Sequence, residues 1–404
     1  MLVLLGALLL QGCAADYVAR TYGVRQAYEA EDYPRALEEL GDLEKQGSRQ
    51  DALLVLLDKG MVLHAAGRWQ ESLRVLAEAD RLSQELDAVS ISEEAGALLS
   101  NERQRAYRGE DFEKLMISVL QALNYAELGQ DDEALVEVRR VNERLEKMVV
   151  DEKKPYEQLA IARYLGGILY EDQREWDSAF IDYAKALELQ PGLGPLSEPL
   201  LRLAKKTGRD QVYEELRRRF PDVPHEPLGP NEGQLVVVIE AGLSPEKVSH
   251  SRHYRPDATE LIEVPSYRDR GYPPRAQVRV GERTEGAVMV TSLAQVAKIH
   301  LDDRVGRMLA RQLASAVVKA GVAAGAGAIT KSEEVAYLTF LLLNVANAPD
   351  LRSWLALPAE FQLARFRLPA GQHTVQVEYG GQPLAREVEV KPGRVKVVVL
   401  RRYR

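Results

Sequence analysis

Six histidines, one cysteine and a few carboxylate clusters are the side chains in this sequence with chemistry to offer. His250 and His253 (HSRH) stand near Asp257 and Glu260. A metal site wants histidines three or four apart on a helix with a further ligand. Pro256 and its polar surroundings predict a loop instead, so no metal is expected. Glu102, Glu110, Asp111 and Glu113 cluster with Arg103, Arg105 and Arg108, a mixture that usually marks a solvated helix face. There is no nucleophile elbow, P-loop or Gly-rich dinucleotide turn. The run GVAAGAGA at 321–328 has no Lys-Ser/Thr after a strand and cradles no phosphate. The single cysteine, Cys13, excludes an intramolecular disulfide and a CxxC redox or zinc site. We therefore expect no catalytic set and no cofactor. A formal net charge of −8 gives no reason to expect nucleic acid.

Two other groups suit recognition. Tyr267, Arg268, Arg270 and Tyr272, with Arg352, Trp354, Arg365 and Arg367, are the residue types that anchor interfaces. They form either a partner or glycan surface, or an internal lock in which Arg352 and Trp354 hold a helical insertion onto a β domain. The second group is the N-terminal segment MLVLLGALLLQGCAAD, an apolar run too short to span a bilayer as a mature helix. With Leu10-Gln11-Gly12-Cys13 as lipobox, residues 1–13 resemble a bacterial lipoprotein signal that leaves Cys13 to carry lipid. The alternative is an apolar helix start with a buried cysteine. Ala14 and Ala15, with no Asp directly after the cysteine, resemble outer-membrane sorting. The expected address is the periplasmic side of the outer membrane in a Gram-negative bacterium.

Helices must position much of this. At 404 residues, 46% hydrophobic and 28% charged, the chain has room for two or three folded domains. From 17 to about 222 the pattern is helical throughout. In 164–191 (YLGGILYEDQREWDSAFIDYAKALELQP) Gly167, Tyr170, Ala179, Tyr183 and Ala186 alternate small and large, and Pro191 follows as a stop. That spacing resembles a tetratricopeptide (TPR) repeat, whose small residues let two helices approach. Further hairpins are expected at 17–45, 53–82, 115–145 and, degenerate, at 200–220. The stretch 83–111 should extend one helix and add another, and 148–158 should be a polar connector. The concave side is predicted to carry Leu54, Leu57, Met61 and His64, then Met116, Val119 and Leu123, then Ile161, Tyr164 and Ile168. These are mostly apolar. They form a groove for a partner's helix or strand, or they are covered by the chain itself.

The Pro/Gly-rich linker at 223–233 separates a second half, 234–404. QLVVVIEA at 234–241 reads as a buried strand, and 242–274 as a long ordered loop. Strands are expected at 276–280, 287–291, 361–368, 372–379, 386–390 and 395–400, with turns between them. They make a small antiparallel β-sandwich. A helical insertion at about 302–347 covers it or, less compatibly with its length and its Arg311 and Lys319, inserts into membrane. The fold class is thus α + β: a TPR-like α-solenoid followed by a β-sandwich.

Residues 107–141, 233–248 (GQLVVVIEAGLSPEKV) and 350–371 (DLRSWLALPAEFQLARFRLPAG) resemble a family of proteobacterial TPR lipoproteins. That family pairs a TPR half with this C-terminal domain, and some of its genes lie beside the lipoprotein activator of a penicillin-binding protein. The resemblance brings no enzymatic activity with it. It implies a lipid-anchored scaffold that binds a protein partner in cell-envelope, possibly peptidoglycan, machinery. A pilotin-like assembly lipoprotein for a secretion, pilus or outer-membrane system is the alternative, and an envelope polysaccharide enzyme a weaker one. Partner and oligomeric state are not legible.

Overall fold

The computed structural model describes residues 17–93, 106–150, 159–253, 261–305 and 349–403. Cys13 with its signal segment, residues 94–105 of the inserted stretch, 151–158 of the connector and most of the helical insertion lie outside the described residues.

The N-terminal half is a TPR-like solenoid of five helical hairpins among the described residues. After the short α1 (Tyr17–Arg20), α2 (Tyr22–Glu29) pairs with α3 (Tyr33–Lys45), and α4 (Ala52–Ala65) with α5 (Trp69–Glu93). Next come α6 (Asp111–Glu127) with α7 (Asp131–Val150), α8 (Ala160–Asp172) with α9 (Trp176–Leu189), and α10 (Ser197–Lys206) with α11 (Asp210–Arg219). α5 continues well past the usual repeat end, as the extra stretch at 83–111 predicts. No described helix is long and apolar enough to cross a membrane.

Each first helix stops in the same way. The residue in the turn is left-handed: Glu31 (φ 61), Gly67 (φ 70), Gly129 (φ 70), Arg174 (φ 64) and Gly208 (φ 69). The next N–H reaches back to a helix carbonyl at 2.9 Å in all five: Asp32 to Ala27, Arg68 to Leu63, Gln130 to Tyr125, Glu175 to Tyr170 and Arg209 to Ala204. This cap absorbs carbonyls that a helix end leaves unpaired. It also puts the five hairpins in one register, which fixes what each first helix offers to the concave side.

Three sheet pieces make the second half. β1 (Glu232–Ala241), β6 (Val288–Ser292), β7 (Glu360–Pro369) and β10 (Val395–Arg402) form one sheet in the order β10-β1-β7-β6. β4 (Gln277–Val280), β5 (Arg283–Gly286), β8 (Gly371–Tyr379) and β9 (Gln382–Val390) form a second, ordered β5-β4-β8-β9. The expected loop at 242–274 instead holds a hairpin, β2 (Glu246–His253) with β3 (Leu261–Arg268). Its polar strands and Pro265 hid it: the positions it buries include Lys247 and Pro265, which make no apolar alternation to read. The sandwich is also not wholly antiparallel. β10 runs parallel to β1, Val236 opposite Val397, since the chain returns to the first sheet only after crossing β8 and β9 in the second.

β1 explains how the halves combine. Leu235, Val237 and Ile239 enter the sandwich core with Ala364, Phe366, Val375, Val377 and Val398. Val236 and Val238, on the opposite face, join Phe361, Leu363, Val397 and Val399 in a core continuous with the solenoid helices. A strand apolar on both faces needs a layer on each. Here one layer is the second sheet and the other is the concave side of the solenoid.

Candidate functional site

The expected groove is filled. Leu54, Leu57, Met61, His64, Met116, Val119, Leu123, Ile161, Tyr164 and Ile168 are all buried, none more than 2% exposed. Most sit in the core shared with the first sheet. Their reading as an open partner groove is therefore corrected: apolar side chains on a concave surface are covered by the nearest apolar sheet, and that sheet is the chain's own.

The polar contacts between the halves follow the repeat register. Three residues before the left-handed turn stand Tyr28, His64 and Glu171. The Tyr28 hydroxyl donates to the Ala356 carbonyl at 3.0 Å. His64 Nε2 lies 3.0 Å from Glu240 Oε1. Glu171 Oε2 accepts from Arg365 Nη2 at 2.6 Å. Two residues before the turn stand Glu127 and Asp172. Their carboxylates accept the backbone N–H of Val399 at 2.6 Å and of Val395 at 2.7 Å. β10 is an edge strand, and an edge left bare invites pairing with other chains. The solenoid caps it with side chains, and Arg386 and Arg394 neutralise those carboxylates.

Two buried charge clusters also lie in this interface. Glu171 is held between Arg365 and Arg202 and also accepts from the Tyr183 hydroxyl at 2.8 Å. Burial opposes its charge, yet the two guanidinium groups outweigh it and lower the carboxyl to about 2. The other cluster surrounds the start of α6. Glu110 pairs with Lys247 and with Arg304, 2.6 Å away. Burial again works against the charge, but these cations hold Glu110 well below the usual carboxylate range. Glu113, one turn on, accepts from the Tyr107 hydroxyl at 2.5 Å, from its own helix cap at Glu110 N and from Trp354 N at 2.6 Å. Burial dominates there and pushes the carboxyl up to about 7. The charge mixture around Glu110 and Glu113 predicts a solvated face. Both are buried, because the second half, far away in sequence, supplies Lys247, Arg304 and Trp354.

The proposed recognition surface divides. Trp354 is 0% exposed, and Arg352 is buried on Asp350, Asp51 and the Gln50 carbonyl. Arg270 donates to the Ser244 and Leu355 carbonyls, and the Tyr267 ring meets Phe112 edge-on at 6.3 Å. These four are internal. The lock holds the β half to the solenoid at α4 and α6. Arg268, paired with Glu246, and Tyr272, 90% exposed, remain on the surface. His250 lies on β2 rather than in a loop. Among the described residues no group of His, Cys, Asp and Glu could hold a metal. A cleft between α8, α9 and β6, bordered by Leu159, Leu189, Met289 and Ile299, measures about 110 Å³. That is well below the roughly 300 Å³ at which small-molecule sites begin.

Glu240, Glu127 and Asp172 join the halves without having stood out in the sequence, whereas Arg365 belongs to the Arg/Trp/Tyr group that did. Glu127 and Asp172 share a signal, the offset of two residues from the hairpin turn, whereas Arg365 and Glu240 lie on strands and carry no such register.

No family model matches the chain, and no curated protein matches it. Among solved structures it is similar to a tetratricopeptide repeat protein from Parabacteroides merdae, at 18% identity over 51% of this chain and 67% of that one, with a TM-score of 0.34. It is also similar to a crystal structure of MamA protein, at 13% identity over 52% of this chain and 96% of that one, TM-score 0.34. A second MamA structure gives 13% identity over 49% and 94%, TM-score 0.33.

Proposed function

We infer that this protein is a lipid-anchored scaffold of the cell envelope, held by Cys13 at the periplasmic face of the outer membrane and binding a protein partner there. A TPR-like fold supports a protein-interaction role. The observation that carries the reading is the filling of the concave side: the buried Glu171 and Glu110 clusters are consumed in joining the two halves, and neither lines the small cleft at α8, α9 and β6. The partner therefore meets the outside of the solenoid and the exposed sandwich. Val136 on α7 and Ile181 on α9, 50% and 57% exposed, are apolar positions available there. The envelope setting rests on the lipobox and on the family that the sequence resembles.

Photo-crosslinking in cells tests this. Probes at Val136 and Ile181 should each capture the same protein, whereas probes at Leu57, Met61 and Ile168 should yield only internal crosslinks. A foreign adduct from the buried positions would overturn the filled groove, and no adduct from any outer position would count against a scaffold. Cys13→Ser should move the protein from the membrane fraction to the soluble periplasm; unchanged fractionation would remove the lipid anchor.

A further inference from the structure

Around His64 the hydrogens can be counted. The Ser72 hydroxyl donates to the Gly60 carbonyl at 2.8 Å, so its oxygen is left to accept from Asn124 Nδ2 at 3.0 Å. That fixes the amide's orientation and turns Asn124 Oδ1 toward His64 Nδ1, 2.6 Å away. A carbonyl oxygen only accepts, so Nδ1 carries a hydrogen. The other ring nitrogen, Nε2, faces Glu240 Oε1 at 3.0 Å, with the two side chains 1% and 0% exposed. A bare imidazole nitrogen and a carboxylate oxygen are both acceptors and repel at that distance. One proton must lie between them, whichever of the two is drawn as its owner.

The pair joins the two halves. His64 is on α4 and Glu240 on β1, 176 residues apart. Other groups face it from every neighbouring element. α6 contributes Asn124 and Glu127, the latter neutralised by Arg386 of β9. α5 contributes Ser72 and the Trp69 ring, 5.1 Å from the imidazole. Arg401 of β10 lies in register beside Glu240 and donates to its backbone carbonyl and to the Tyr28 hydroxyl of α2. Glu240 Oε2 has no hydrogen-bond partner, so the carboxylate has no second donor to replace His64.

We propose that the docked arrangement requires one proton held between His64 and Glu240, so that closing the sandwich onto the solenoid takes up a proton and alkaline solution favours release. Burial works against a charged His64, but Glu240 and Asn124 outweigh it and raise the imidazole above its ordinary value. The sign follows. A base raised in the folded chain stabilises it fully below the unfolded histidine value, and that stabilisation is lost as pH rises through the folded value.

The test is denaturant unfolding of the full chain between pH 6 and 9.5, beside Glu240→Gln. The glutamine amide can donate to neutral Nε2 and keeps the bridge without a titrating proton. On the alkaline side the wild-type folded-to-unfolded ratio should fall, relative to the variant, by up to about tenfold per pH unit, the slope of one proton. Parallel curves for the two proteins would overturn the proposal. Should Glu240→Gln fail to fold, nitrogen NMR of His64 in the wild-type chain decides. Retained protonation at Nε2 above pH 7 supports the shared proton, and titration at the ordinary histidine value sinks it.

Discussion

At the scale of single residues, tertiary partners separate side chains that look alike in the sequence. Trp354 and Tyr272 both belong to interface-type clusters, yet one is fully buried and the other 90% exposed. Trp354→Ala should therefore cost about 3–5 kcal/mol, the usual range for removing a large buried aromatic. Tyr272→Ala should stay within about 0.5 kcal/mol. Paired denaturant titrations read both, and equal effects would contradict the placement of Trp354 inside the lock. The offsets of Gly167, Ala179 and Tyr183 were legible without a structure, because a small-large alternation is a local signal. The burial of Glu110 and Glu113 was not. Nothing near them in sequence announces Lys247 or Arg304.

At the scale of the element, one hairpin shows both a tight contact and a strained turn. A Cβ on Gly167 would stand 2.4 Å from the Tyr183 ring. That ring cannot retreat, since its hydroxyl donates to Glu171 and accepts from Arg365 at 2.9 Å. Gly167→Ala should destabilise by about 1–3 kcal/mol. Arg174, in the turn between α8 and α9, holds a left-handed φ of 64 where three of the other four turns use glycine. Its substitution should go the other way: Arg174→Gly removes backbone strain and should add about 0.5–1 kcal/mol. Thermal melts of the two variants should bracket the parent. A Gly167→Ala protein as stable as the parent would mean that α8 and α9 are not packed at this distance. The helical hairpins were readable because their period is carried by every turn of the chain. The β2–β3 hairpin and β5 were not, because β2 (EKVSHSRH) and β5 (RTEG) are mostly polar and show no apolar alternation.

For the whole molecule, pH acts on the interface in opposite directions. Glu171 is lowered to about 2 in the folded chain. As acid is added the unfolded chain takes up that proton first, so its contribution is present above the ordinary carboxylate value and lost as pH falls toward 2. Asp58, bonded to the Tyr17 hydroxyl at 2.7 Å, is raised by burial to about 6, and Glu113 to about 7. The folded chain keeps those protons when the unfolded chain has released them, so their contribution is lost as pH rises through those values. Unfolding free energy should peak between these limbs. Glu171→Gln should flatten the acid limb while lowering the plateau, because Arg365 and Arg202 then lose their buried partner. An acid limb that is equally steep in the variant would assign it to other carboxylates.

The sequence by itself determined the elements: a solenoid of helical hairpins, a strand at 234–241 apolar on both faces, and the terminal strands with their turns. These follow from periodicity and capping, which act over a few residues. Only the tertiary structure decided what the concave side holds. Leu57, Met61 and Ile168 have the same apolar character whether they wait for a partner or meet β1 and β7, so their pattern could not distinguish the two. The answer lies in pairs such as His64 with Glu240 and Glu171 with Arg365, 176 and 194 residues apart. Each is a buried polar group whose cost is met only by a partner that folding brings to it.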